Sequence, residues 1–228
     1  TFPKAPSPSL TKEFLEFFRD LTVIFIIVLL IRTFLILPFQ ISGQSMYDSY
    51  YDRQFIIVDR FSYLNTPVIW PLKVPNRWDV IVFKTHIEWK EYFIKRIIGL
   101  PWETIKISWW KVYVNIENKF IQLEENYLME NNYNATFIWW DDSEYIFEIP
   151  DNSYFVLWDN RNASTDSRSC FSSCSINWTS NFITKKDIVG RVFVDLGYFN
   201  FKEFSFKHPA LWIETKPQWF SSFSNYEY

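Results

Sequence analysis

The sequence predicts a mainly β protein, with an N-terminal transmembrane helix followed by an antiparallel β domain that carries a smaller inserted lobe. Three observations support this prediction: an apolar run at residues 21–39, short runs of strand length after it, and no amphipathic helices between those runs. The 228 residues suffice for one large domain or two small ones. A net charge of -3 argues against a nucleic-acid partner, and two His with two Cys argue against a zinc site. We expect no cofactor and no metal.

The apolar run at residues 21–39 contains one charge, Arg32. As a helix it would be about 28 Å long, close to the thickness of the hydrocarbon core of a bilayer. Pro38 is expected to end the helix. No small-residue cleavage site follows, which favours a retained anchor over a cleaved signal. A buried core helix is the alternative.

Basic residues before the run predict its orientation. Lys4, Lys12 and Arg19 precede it, so the positive-inside tendency places residues 1–20 in the cytoplasm and residues 40–228 outside. The expected location is the plasma membrane, crossed once, with the lipid bilayer as a partner.

The β domain is expected to cover residues 40–198. Residues 117–150 are polar and weakly patterned, which suggests an insertion or lesser lobe. The aromatic tail, 199–228, either packs on the β body or lies at the membrane interface. Strands are predicted at 54–59, 79–84, 92–98, 104–108, 111–116, 154–157 and 187–195.

A histidine-based catalytic triad has little support, because neither His86 nor His208 has a plausible neighbour. A serine can instead be activated by a neutral lysine in an apolar setting. Lys95 lies in YFIKRIIGL, where a strand would turn it away from Ile94 and Arg96. A Lys-Arg pair on a solvated strand is the simpler interpretation. Ser45 in ISGQSM, taken alone, could belong to an ordinary loop.

Four ordered segments behind one apolar run resemble the bacterial type I signal peptidases, membrane-bound leader peptidases with a Ser-Lys dyad. The similar segments are IRTFLILPFQISGQSM at 31–46, RWDVIVFK at 77–84, YFIKRIIGLPWE at 92–103 and WDNRNASTDSR at 158–168. The resemblance implies a serine endopeptidase that removes signal peptides from exported preproteins after small residues.

The resemblance also implies a role for each matching residue. Ser45 would be the nucleophile, Lys95 the general base, and Ser164 a hydrogen-bond partner of the lysine amine. At Gly43 some members have a serine that assists the oxyanion, so backbone donors would serve here. The expected supporting residues are Asp159, Asn160, Asp166 and Arg168, and the expected residues of the substrate pockets are Ile41, Met46, Phe93 and Ile94. The segment 158–168 could otherwise be a polar surface loop.

Cys170 and Cys174 stand four apart in the part expected outside the membrane, where a small-loop disulfide could form. Free buried thiols are the alternative.

Tryptophan occupies positions where the family pattern has glycine. The chain has 4 Gly and 12 Trp. Trp78, Trp102, Trp110 and Trp158 match glycines of the family, and an indole would be strained where positive φ or close backbone approach is needed. We hypothesise that the gene uses UGA for glycine. Arg53, where the family often has glycine, does not fit this hypothesis.

Two other functions remain open. A catalytically inactive, membrane-anchored β domain that binds extended peptides would be favoured if the tryptophans are real. A soluble Ser-Lys self-cleaving repressor peptidase shares the chemistry but leaves the apolar run without a role.

Overall fold

The structure is a computed structural model. It describes residues 10–31, 36–47, 49–63, 73–84, 92–138, 143–162, 165–172, 180–200 and 202–207. The elements in chain order are α1 (Leu10–Leu30), β1 (Ile36–Gln40), β2 (Phe55–Asp59), β3 (Val80–Lys84), β4 (Tyr92–Gly99), β5 (Thr104–Ser108), β6 (Lys111–Ile116), β7 (Lys119–Gln122), β8 (Tyr145–Glu148), β9 (Ser153–Leu157), β10 (Ile183–Thr184), β11 (Ile188–Asn200) and β12 (Ser205–Lys207).

The N-terminal helix differs from the predicted span 21–39. It begins at Leu10, inside the segment expected to be cytoplasmic, and ends at Leu30. Its first half therefore includes charged residues, among them Lys12, Glu13 and Arg19. Within the described residues, no helix has both the length and the low charge and high hydropathy required to cross a bilayer.

The end of the predicted span is a strand, which corrects the expectation that Pro38 ends the helix. Pro38 lies in the middle of β1 and pairs with Ile57 of β2. Because β1 is an edge strand, the missing N–H of proline costs the sheet no internal hydrogen bond. An apolar run can form a strand or a helix, and hydrophobicity alone does not distinguish them.

Two antiparallel sheets form the β domain, as the sequence predicted. The large sheet has eight strands in the order β1-β2-β11-β3-β4-β9-β10, with β12 added on β11. The small sheet has four strands in the order β7-β6-β5-β8. We call residues 104–148 the small lobe. It begins earlier than the predicted insertion, 117–150, because β5 and β6 belong to it as well.

The two faces of the large sheet pack into separate clusters. One cluster includes Met46, Val58 and Val80, and the other includes Ile81, Phe83 and Ile97. Alternation along β3 and β4 sends successive side chains to opposite faces, which explains why Val80 and Ile81 belong to different clusters. A third cluster lies between the small sheet and the ends of β4 and β9.

Most of the aromatic tail, from residue 208 onward, lies outside the described residues. So do His86, His208, Arg32, Lys4 and the other residues of segment 1–9. Expectations that concern them stay predictions.

Candidate active site

Ser45 lies in a tight turn after β1. The turn is closed where the Ile41 N–H donates to the Gln54 carbonyl at 2.8 Å. Gly43 has a φ of 101°, and a Cβ added there would meet no atom within 4 Å. The turn therefore needs glycine for its backbone conformation and not for space. The Gly43 N–H donates to Asp52 Oδ1 at 2.7 Å, so this donor already has an acceptor within the protein.

Lys95 is buried near the middle of β4, opposite Ile81 of β3. Its exposed fraction is 1%. Its Nζ donates to the Ile94 carbonyl at 2.8 Å. Two aromatic rings approach this amine, Phe93 at 4.7 Å and Trp158 at 4.4 Å from Nζ to the ring centroid. The simpler interpretation of a lysine on a solvated strand face is therefore wrong.

The start of segment 158–168 contacts both predicted catalytic residues. Trp158 covers the Lys95 amine, and the Asn160 N–H donates to the Ser45 carbonyl at 3.1 Å. The Asn160 side-chain amide also donates to the Gln44 carbonyl at 3.2 Å. The three residues 158–160 thus connect the Ser45 turn to Lys95. A hydrogen bond between Ser45 Oγ and Lys95 Nζ stays a prediction.

Asp159 forms a buried ion pair with Arg96, the neighbour of Lys95. The Arg96 Nε and Nη2 donate to the two carboxylate oxygens at 2.9 and 2.6 Å. Arg96 also donates to Ser49 Oγ at 3.2 Å and to the Trp78 carbonyl at 2.9 Å. Burial disfavours the charge of Arg96, but Asp159 outweighs it and raises the pKa of the guanidinium above its usual value. The guanidinium therefore stays charged, and its contacts join β4, the turn that contains Ser45 and segment 158–168.

Asp166 and Arg168 form a second buried pair. Arg168 Nη2 donates to Asp166 Oδ2 at 2.8 Å, and that oxygen also accepts from the Trp158 N–H at 3.2 Å. Arg168 Nη1 donates to the carbonyls of Phe137 and Arg161 at 3.1 Å. The pair closes segment 158–168 on itself and fastens it to the small lobe.

Arg161 is a supporting residue that the sequence analysis did not single out. It is fully buried, and its guanidinium donates to Glu125 at 2.5 Å, Tyr127 Oη at 2.8 Å and Thr136 Oγ1 at 2.9 Å. Its Nε donates to the Trp158 carbonyl at 2.7 Å. Burial raises the pKa of Tyr127 well above its usual value, so the phenol stays protonated. The only sequence signal for this role was an arginine inside the fourth segment. Its partners could not be predicted, because they lie in the weakly patterned residues 117–150.

The predicted pocket residues divide between the two faces of the large sheet. Ile41 and Met46 are buried in one cluster, against which Ile94 packs. Phe93 packs with the other cluster, where its ring contacts Phe83 and Phe171. Three of the four residues are therefore close together.

Ser164 and Cys174 lie outside the described residues. Cys170 is buried and disulfide-bonded. Its pairing with Cys174, like the bond of Ser164 to the lysine amine, stays a prediction.

Comparison with known proteins identifies the family. The model described as "Signal peptidase, peptidase S26" matches residues 14–196. The signal peptidase I S of Bacillus subtilis is 30% identical over 186 residues, covering 79% of this chain and 94% of the relative. The signal peptidase I of Pseudomonas aeruginosa is 34% identical over 176 residues, covering 67% of this chain and 62% of the relative.

A solved structure, that of a signal peptidase I from Enterococcus faecalis, is 27% identical and gives a TM-score of 0.39, covering 53% of this chain and 97% of that chain. The family match spans most of the chain and includes all four segments on which the resemblance rests. The chain is therefore a peptidase of the S26 family, the bacterial type I signal peptidases.

Proposed function

We propose that this protein is a membrane-anchored serine endopeptidase that cleaves signal peptides with Ser45 as nucleophile and Lys95 as general base. The observation that carries the proposal is that β4, which contains the buried Lys95, pairs with β9, and that just after β9 the Asn160 N–H donates to the Ser45 carbonyl. Full burial of a lysine is costly, and it is characteristic of sites where its neutral form is used.

The reaction would proceed by acyl transfer. Lys95 takes the proton of Ser45 Oγ as this oxygen attacks the scissile carbonyl, and it then protonates the departing amine. The acyl ester on Ser45 is hydrolysed by a water molecule that Lys95 deprotonates. The signal peptide leaves with a free carboxylate, and the proton returns to Ser45.

The oxyanion needs a hydrogen-bond donor close to the nucleophile. The Gly43 N–H is engaged by Asp52, whereas the Ser45 N–H makes no hydrogen bond to any other described residue. We therefore assign the oxyanion to the Ser45 N–H. A donor of this kind typically lowers the barrier by about 3 kcal/mol.

The substrate would bind next to Ile41, Met46 and Ile94, whose side chains pack in one cluster. The family resemblance implies shallow apolar pockets for small side chains at these positions. The substrate class would be preproteins with small residues before the cleavage site.

Membrane anchoring would come from the N-terminal helix. Side chains in its second half, from Leu21 to Leu30, are exposed along the whole length and do not pack on the β domain. Of these ten exposed residues nine are apolar, so we expect lipid or another protein to cover them.

The orientation of the helix is proposed from the basic residues that precede the apolar run. It places the β domain outside the plasma membrane. Protease added to sealed cells should then digest this domain, and full protection would reverse the orientation.

The dyad is tested with a preprotein substrate in detergent or vesicles. Ser45→Ala and Lys95→Met should abolish cleavage, since each removes one partner of the proton transfer, while thermal unfolding stays cooperative. Ser42→Ala is the matched control, because Ser42 is an exposed serine of the same turn and should retain full activity. Cleavage by Ser45→Ala at the control rate would overturn the assignment.

An inactive peptide-binding domain is the second candidate, favoured by one observation. The Trp158 indole lies over the Lys95 amine at 4.4 Å, where the proton acceptor of the dyad would work. Assaying the chain with Trp158 and with Trp158→Gly separates the two functions. Cleavage by either form identifies an enzyme, and binding of the preprotein without cleavage by both forms identifies the inactive domain.

A further inference from the structure

Four of the five tryptophans that the structure describes have an unusual backbone conformation. The φ angles are 75° at Trp78, 70° at Trp102, 51° at Trp109 and 62° at Trp110. L-residues rarely enter this region, because Cβ approaches a carbonyl oxygen. Among the described residues, two of the four glycines and none of the tyrosines have positive φ. Positive φ thus occurs at tryptophan at least as often as at glycine.

Two neighbouring hairpins show that the conformation is imposed by the sheet. The turn between β5 and β6 is Trp109–Trp110, with φ of 51° and 62°, and the turn between β6 and β7 is Glu117–Asn118, with φ of 50° and 64°. Two-residue hairpins of this kind require positive φ at both positions, where Gly, Asn and Asp are favoured. The second turn has Asn in one position. The first has a bulky indole in both.

Burial does not compensate for the strain at the turns. Trp102 is 76% exposed and Trp109 is 70% exposed. They do not form one docking surface either, since they lie beyond opposite ends of β5, whose five residues alone span about 17 Å at 3.3 Å per residue. A common aromatic patch therefore does not explain them.

Trp158, the fifth tryptophan, has no positive φ, but it is poorly accommodated for another reason. Its indole Nε1 is buried and has no hydrogen-bond partner among the described residues. The ring also stands over the Lys95 amine. A residue without a side chain would leave no unpaired donor and would uncover the amine.

We propose that the native protein has glycine at residues 78, 102, 109, 110 and 158, because its gene contains UGA codons that the host reads as glycine. The structure adds residue 109 to the four positions that the family pattern suggests. The structure also distinguishes two reasons for glycine. Four positions need it for their positive φ, and residue 158 needs it because a side chain there lies against the Lys95 amine. The proposal concerns the chain itself and does not depend on the catalytic assignment.

The decisive experiment is mass spectrometry of the protein purified from its native host, together with the codons of its gene. Glycine peptides at the five positions, each lighter than the tryptophan form by the difference between the two residues, and UGA codons are expected. Tryptophan peptides or UGG codons at these positions would overturn the proposal.

Thermal unfolding of variants tests the conformational argument separately. Trp102→Gly and Trp110→Gly should each raise Tm by about 2 to 4 °C, and the corresponding alanine variants should raise it less, because alanine keeps the Cβ that positive φ disfavours. Phe120→Gly is the matched control, a partly exposed aromatic residue on β7 without positive φ, and it should lower Tm. Alanine variants as stable as the glycine variants would refute the argument.

Discussion

Arg96 and Arg161, two of the buried arginines that hold segment 158–168, connect it to different parts of the molecule. Arg96 extends from β4 to Asp159 and also reaches Ser49, four residues after the predicted nucleophile. Arg161 lies inside the segment and binds Glu125, Tyr127 and Thr136 of the small lobe. The first connection joins the segment to the turn that contains Ser45, whereas the second joins it to the small lobe. Burial and ion pairing alone therefore do not show that an arginine supports the proposed active site. The residues that the arginine binds distinguish the two cases.

The largest effect is expected from Asp159→Asn, which leaves the Arg96 charge buried without its partner. Removing one member of a buried pair typically costs about 3 to 5 kcal/mol of unfolding free energy. Cleavage should fall as well, because Arg96 would no longer hold residue 159 beside the Ser45 turn. Chemical unfolding and kcat on the same preparation measure both effects.

A double variant separates the two effects of the Arg96–Asp159 pair. Arg96→Met with Asp159→Leu removes both charges, so most of the lost stability should return. Activity should stay low, since the bond to Ser49 is also gone. Full recovery of kcat would show that the pair serves stability alone.

Glu125→Gln should be the second largest change. The glutamine keeps the shape of the side chain but loses the charge that Arg161 binds, while Tyr127 and Thr136 still accept from the guanidinium. A loss of about 3 kcal/mol is expected, at the low end for breaking a buried pair, because the Glu125 side chain is 10% exposed whereas that of Asp159 is fully buried. The folded fraction should cleave at the normal kcat; a fall in kcat as large as that of Asp159→Asn would remove the distinction between the two arginines.

Tyr127→Phe should have a smaller effect, about 1 to 3 kcal/mol, since two hydrogen bonds are lost, one accepted from Arg161 and one donated to Glu125 at 2.6 Å. The phenylalanine ring keeps its position over Arg96, whose guanidinium carbon lies 4.0 Å from the ring centroid. Tyr127→Leu removes this cation–π contact as well and should cost more. Equal unfolding free energies for the two variants would exclude a contribution from the ring.

Ser49→Ala should have the smallest effect on stability, because Arg96 keeps Asp159 and the Trp78 carbonyl as acceptors. The change in unfolding free energy is expected to be about 0.5 kcal/mol, at the low end for one hydrogen bond. A larger relative loss in kcat is expected, since the bond holds the turn that contains Ser45. Thermal unfolding and steady-state kinetics, measured together, distinguish these two effects.

The β domain was predictable from the sequence where strands have regular patterns. The expected strands 104–108 and 111–116 agree with β5 and β6 at both ends, and β2, β3 and β4 differ from their expected ranges by one residue. β7 and β8 were not predicted, because their polar segments show little periodicity. The residues of β1 were assigned to the end of the predicted helix. A proline can follow a helix or lie in an edge strand, and the local sequence around Pro38 does not distinguish the two.

Local motifs led to Ser45, Lys95 and segment 158–168, but not to what holds them. The link from Arg161 to Glu125 spans 36 residues of chain. No local pattern encodes such a pairing, because it depends on how the small lobe docks on the large sheet. The positive φ of Trp109 was also missed, although two residues between two strands already indicated a tight hairpin.

The long-range bonds of segment 158–168 have a consequence for the order in which the protein assembles. Asn160 binds a residue 116 positions earlier, Asp159 one 63 positions earlier, and Arg161 partners 25 to 36 positions earlier. Contacts of this separation form late, since the chain entropy of each loop is lost before the contact stabilises anything. The large sheet depends on contacts of the same kind, since Val58 of β2 pairs with Val192 of β11, so the sheet and the arrangement of segment 158–168 would form together. The proposed dyad would then be in place only once the large sheet has formed, so a partly folded chain would lack it.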